Sequence, residues 1–216
     1  MKIRTLEHLN QRLTDDLIWR RKEISDLKSL IETNSFRLSK HNAVLRSGVT
    51  LLYANWEGYI KTAATSYLEF VARQQLTCEE LAINFVAVAM KFKLKEASET
   101  NKATIFTEVA NFMLTQTSQK ISLPYEDVIS TSSNLSSDIL REIVCLLGLD
   151  YSFYQTKEVI INEQLLKRRN GIAHGEYLSL DREEYQQLHN EILGMMENFR
   201  TQVENNAIQK LYLRNP

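Results

Sequence analysis

Apolar residues near the N-terminus recur at Leu6, Leu9, Leu13, Leu17, Ile24, Leu27 and Ile31. Steps of three, four or their sum place them on one face of a helix, predicted from about Thr5 to Glu32. Arg12, Asp16, Arg20, Lys22, Glu23 and Lys28 occupy its other face. Asn34-Ser35 breaks the pattern, and a second long helix is predicted from Ser39 to Gln75. Trp56, Tyr59, Ile60, Ala63, Tyr67 and Phe70 keep helical spacing within it and are its expected core face, with Tyr53 in the same aromatic run.

Capping chemistry marks the later elements. Thr77-Cys78-Glu79-Glu80 has the form of a capping box and predicts a helix from there to about Leu94. A polar stretch, Lys95 to Lys102, precedes a further helix to about Leu114. Residues 117–137, with Pro124 and the run TSSNLSS, read as a loop. Ser136 or Ser137 then caps a helix that ends at Gly148. Another helix is expected from about Thr156 to Ile172, and Gly175 to Leu180 is a short connection. Asp181, with Glu184 three residues on, starts a last helix to about Ala207. No alternating strand pattern or internal repeat is visible. The expected fold class is an all-α antiparallel bundle, divided into an N-terminal helical extension (1–34) and a helical domain (35–216). The N-terminal helix is expected either to pack along the bundle as an appendage or to offer a coiled-coil partner surface.

Composition agrees with long helices, since only 2 prolines and 6 glycines interrupt 216 residues. With 26 basic and 27 acidic residues the formal net charge is -1. Any nucleic-acid site must therefore come from local clustering or from surfaces brought together in an oligomer. Cys78 and Cys145 are isolated and sit among apolar residues, so both are expected in the core and neither suggests a zinc site or a disulfide framework. The N-terminal MKIRTLEHLNQRL lacks the apolar stretch of a signal peptide, and no run approaches a membrane span. A reducing, cytoplasmic setting without a membrane is the expectation.

Conventional enzyme motifs are missing. His8, His41, His174 and His189 show no metal-ligand spacing, and there is no Gly-rich phosphate loop or nucleophile elbow. Neither a metal nor another cofactor is implied. The segment that stands out is LLKRRNGIAHGEY, Leu165 to Tyr177, at the end of an apolar helix. It concentrates Lys167, Arg168, Arg169, Asn170 and His174. These groups put an acid–base side chain beside fixed cations. An imidazole exchanges protons near neutrality, and a guanidinium fork holds the oxygens of a pentacoordinate phosphorus.

Arg169-Asn170-Gly171-Ile172-Ala173-His174 resembles the motif of the HEPN superfamily: Arg, a spacer of four to six residues, then His, often with a polar residue directly after the Arg. Leu51 to Tyr59 also resembles an early HEPN helix, and the resemblance extends over roughly Ser39 to Ala207. It implies an endoribonuclease that leaves a 2′,3′-cyclic phosphate and a 5′-OH. Arg169, His174 and Asn170 are then the catalytic candidates. Lys167, Arg168, Glu57 and Tyr177 are candidates for holding substrate or lining the cleft. The implied setting is a toxin of a toxin–antitoxin or phage-defence module, with RNA as substrate and an antitoxin protein as partner. Arg182 and His189 meet the bare spacing too, but read as a helix face. Positions 169 and 174 lie about 140° apart on a regular helix. Either Gly171 loosens that helix, or a second copy completes the site, as in HEPN homodimers. A non-catalytic helical module that binds a nucleotide or a partner stays open as the other reading.

Overall fold

The chain builds its core from three long helices. A computed structural model describes residues 2–33, 38–115, 117–177 and 179–216. Among them lie α1 (Leu6–Thr33), α2 (Leu38–Ala72), α3 (Ile83–Ser98), α4 (Ala103–Thr115), α5 (Ser137–Leu147) and α6 (Ser152–Gln155). A π-helical segment (Ile160–Lys167) then runs directly into α7 (Arg168–Ala173), and α8 (Arg182–Ile208) closes the bundle. The described residues form no strand, only isolated bridges at Thr77–Lys120 and Leu81–Leu213. The break expected at Asn34-Ser35, which is also the expected division between extension and domain, lies outside the described residues.

The apolar stripe of α1 is used up inside the chain. Leu9, Leu13, Leu17, Ile24 and Ile31 are buried in the same core as Trp56, Tyr59, Ile60, Ala63 and Tyr67 of α2 and Leu188, Ile192, Met195, Phe199 and Val203 of α8. A Leu, Ile, Val, Met or Phe side chain, fully buried, contributes roughly 1.5–3 kcal/mol. That face of α1 is therefore not available as a coiled-coil partner surface. Its polar face also reaches α2: Arg20, paired with Asp16 at 2.7 Å within α1, donates to Asn55 O at 3.5 Å, and Glu23 accepts from Asn55 Nδ2 at 2.8 Å. Where α1, α2 and α8 meet, Gly48 lets the chains approach closely. A Cβ there would stand 2.7 Å from the Tyr185 ring and 3.2 Å from Ile31.

Several local expectations shift. The Thr77–Glu80 box forms, with Glu80 Oε2 accepting from Thr77 N at 2.8 Å and Thr77 Oγ1 accepting from Glu80 N at 3.3 Å. It closes one turn rather than a helix, because Ala82 N donates to Tyr212 O (2.9 Å) before α3 starts at Ile83. Helix α3 continues to Ser98, into the stretch expected to be a polar connection. Cys78 is buried but Cys145 is exposed. On α5 the core is met by Leu140, Ile143, Val144 and Leu147, and Cys145 lies off that face in a groove against α3. Helix α4 buries none of its residues and leaves Phe106, Met113 and Leu114 exposed. Helices α5 and α8 follow their caps. Ser136 Oγ accepts from Ile139 N, Gly148 is left-handed after α5, and Asp181 and Glu184 form the complete box at α8.

Candidate functional site

The Arg169–His174 segment is positioned by what precedes it. The expected continuous helix from Thr156 is instead π-helical over Ile160–Lys167, with Ile161 and Leu165 buried. Asn162 locks this stretch to the start of α5, accepting from Ser137 N at 2.9 Å and donating to Ser137 Oγ at 2.8 Å. A π-turn inserts a residue into the helical ladder and rotates everything after it, a device common at functional sites. Helix α7 ends in a Schellman closure: Gly175 N donates to Ile172 O (3.1 Å) and Glu176 N to Gly171 O (2.9 Å). Gly175 supplies the required left-handed backbone, φ 80°. His174 is the last residue before this turn, and its side chain is exposed.

Arg169 sits in a built cradle. Its Nη1 donates to Asn170 Oδ1 at 2.6 Å and to Asn134 Oδ1 at 3.2 Å, and its Nη2 donates to Ser133 O at 3.2 Å. The guanidinium carbon lies 4.3 Å from the centre of the Tyr53 ring, within cation–π range. Tyr53 is buried, and its hydroxyl accepts from the buried Leu135 N at 2.7 Å. Burial pushes the Tyr53 phenol up to about 12; the Glu57 carboxylate adds to the rise, while the Leu135 N–H and the Arg169 charge oppose it. The cradle residues Ser133 and Asn134 belong to the TSSNLSS run, which the sequence marks only as a loop, and Tyr53 belongs to the aromatic run read as core.

The neighbouring cations are placed differently. Lys167 is exposed and pairs with Glu163 at 2.7 Å. Arg168 pairs with Glu184 at 2.8 Å, and the other oxygen of Glu184 accepts from Asp181 N, so Arg168 ties α7 to the cap of α8. Among the described residues Arg169 alone of the three has no carboxylate at ion-pair distance. Asn170 turns its carbonyl oxygen to Arg169. It meets His174 through the backbone, where Asn170 O accepts from His174 N at 2.9 Å. The imidazole of His174 has no hydrogen bond among the described residues, and none joins it to Arg169. Glu57 reaches the site only through Tyr53, one turn before it on α2. Tyr177 is 80% exposed on the connection after α7. His189 is 3% exposed, inside the core, so the second Arg-to-His spacing marks packing and no surface site.

Among the described residues no group of three His, Cys, Asp or Glu side chains is placed to hold a metal ion, and no helix is long and apolar enough to cross a membrane.

An all-α bundle that presents Arg169-Asn170 and His174 on a short helix before its last long helix has the architecture of a HEPN domain. The chain belongs to the HEPN_MAE_28990-like HEPN family, which it matches over residues 9–212. Helix α1 thus falls largely within the family match. Neither a search of curated proteins nor a search of solved structures found a match.

Proposed function

We propose that this protein is a metal-independent endoribonuclease whose reacting groups are Arg169 and His174, with Asn170 supporting Arg169. One observation carries the reading: in a run of three cations, only Arg169 is held by neutral acceptors and an aromatic face, while Lys167 and Arg168 are matched to carboxylates. Oriented in this way, its charge stays available to an anion. His174 sits exposed at the end of the same short helix.

In the proposed reaction His174 takes the proton from a ribose 2′-OH or delivers one to the leaving oxygen. The 2′-oxygen bonds to the adjacent phosphorus, the bond to the 5′-oxygen breaks, and that oxygen leaves protonated. The products are a 2′,3′-cyclic phosphate and a 5′-OH. Arg169 holds the charge that builds on the non-bridging oxygens. The angle of about 140° between the two positions favours a cleft between two copies, in which Arg169 and His174 from each face one strand of RNA. Such a pairing also supplies the local positive charge that a net charge of -1 does not. The biological role proposed with it is a toxin restrained by an antitoxin protein.

Purified protein, RNA and EDTA test the reaction. Arg169→Ala and His174→Ala are each expected to lower cleavage by roughly 10²-fold or more. Cleavage by both variants at the wild-type rate overturns the assignment. Absence of toxicity on expression overturns the toxin role, and toxicity that His174→Ala does not relieve separates that role from the proposed reaction.

A further inference from the structure

We propose that the loop Thr131–Leu135 is a clamp on Arg169 and that Asn134 is a positioning residue for phosphate binding; the proposal rests on the ribonuclease reading above. The clamp grips both terminal nitrogens of the guanidinium. Nη1 meets Asn134 Oδ1 and Nη2 meets Ser133 O, from consecutive loop residues. Asn170 Oδ1 takes a second Nη1 hydrogen. The hydrogens left without a partner among the described residues are Nε–H and the second one on Nη2. These remain for the oxygens of a phosphate.

The loop is shaped for this at a cost. Ser132 and Ser133 are both left-handed, with φ of 51° and 58°, a conformation that side-chain-bearing residues rarely adopt. The surroundings enforce it. Leu135 is fully buried, and its N–H is fixed by the Tyr53 hydroxyl. Thr131 is buried too, and its carbonyl accepts from Asn134 N at 3.0 Å. Between these anchors the exposed Ser133 carbonyl and Asn134 amide are both delivered to Arg169.

The chemistry of the clamp is selective. A carboxylate at 134 would grip Arg169 more firmly, as Glu184 grips Arg168, but would cancel the charge that a phosphate needs. A neutral amide holds the geometry and leaves the charge. Tyr53, stacked beneath, fixes the plane of the fork.

Because Asn134 is exposed, its variants should fold, and an unchanged melting temperature checks this. Asn134→Ala is expected to lower kcat on single-stranded RNA by roughly tenfold to hundredfold with little change in KM. Asn134→Asp keeps the acceptor and should instead raise KM, because the added charge pairs with Arg169 and repels RNA. In an Arg169→Ala background Asn134→Ala should cause no further loss, since its effect passes through Arg169. Wild-type kcat in Asn134→Ala, or an equal loss in both backgrounds, overturns the clamp while the ribonuclease reading stands. If the wild-type protein does not cut RNA, the ribonuclease reading fails. The clamp is then read from binding of a 2′-O-methyl RNA oligonucleotide: Asn134→Ala weakening it only when Arg169 is present supports the clamp, and equal binding by wild type and Arg169→Ala overturns it.

Discussion

The guanidinium of Arg169 rests on the ring of Tyr53, at 4.3 Å from its centre, while the hydroxyl of that ring holds the loop that grips the same guanidinium. One buried side chain on α2 therefore sets both the plane of Arg169 and the position of its partners. Since burial pushes the phenol up to about 12, the hydroxyl stays neutral across the physiological range. It serves the Leu135 N–H without adding a charge that would compete for Arg169.

Tyr53→Phe separates these two roles. The ring remains, so stacking is kept, but the buried Leu135 N–H loses its acceptor. An unsatisfied buried donor costs about 1–3 kcal/mol. Urea unfolding should show a loss of that size, and RNA cleavage should fall with it as the loop loosens. Tyr53→Leu should lower cleavage further, because the aromatic face goes too. Wild-type stability and cleavage in Tyr53→Phe would show that the hydroxyl does not hold the loop.

Arg168 and Arg169 are adjacent but should respond differently. Arg168 joins Glu184 with the two side chains 21% and 43% exposed, so solvent screens the pair and its net worth is about 1 kcal/mol or less. Arg168→Ala should lower the melting temperature slightly, by loosening α7 from the cap of α8, and cost far less cleavage than Arg169→Ala. Melting curves and cleavage rates of the two variants, measured side by side, check this. Equal losses of cleavage would place Arg168 in the site alongside its neighbour.

What the sequence made legible was local. The stripe of α1, the aromatic face of α2 and the Asp181–Glu184 box can be read because three- and four-residue spacing and cap chemistry act within a turn or two. The π-segment could not be read, because its apolar pattern is that of an α-helix and the tie that accompanies it, Asn162 to Ser137, comes from 25 residues away. The Thr77–Glu80 box was legible as chemistry but not as a helix start, since Tyr212 captures the next backbone donor from the far end of the chain. The candidate site divides in the same way. Arg169, Asn170 and His174 share one phrase, whereas Asn134 lies 35 positions upstream of Arg169 in a run whose only visible property is that it is polar.

Gly48 offers a sharp test of how α1, α2 and α8 meet. Replacing a helical glycine by alanine normally gains roughly 1 kcal/mol. Here the new methyl would stand 2.7 Å from Cε2 of the buried Tyr185 ring, with Ile31 at 3.2 Å on another side. Overpacking of this kind costs about 1–3 kcal/mol, and a rigid ring enclosed in the core cannot swing clear. The clash should win, so Gly48→Ala is expected to be less stable than wild type in urea or thermal unfolding. A gain in stability would mean that the three helices are spaced more loosely at this point.

His189 should make the fold acid-sensitive. The residue is 3% exposed, Nδ1 lies 3.3 Å from Asn190 Oδ1, and Nε2 is buried without a partner among the described residues. Burial lowers its pKa below the ordinary 6.5, and the positive charges of Lys28 and Arg21 push the same way; the Asn190 contact and Glu32 oppose them. A histidine depressed in the folded state holds its proton more tightly when unfolded. Its contribution to stability is therefore complete above about pH 6.5 and is lost progressively as the pH falls through the lower, folded value. His189→Leu removes the titrating group while filling much of the same space. Urea unfolding of the two proteins at successive pH values should show a shallower acid decline for the variant, even if it is less stable at neutral pH because packing is imperfect. Parallel declines would assign the acid sensitivity to other groups and leave His189 as packing alone.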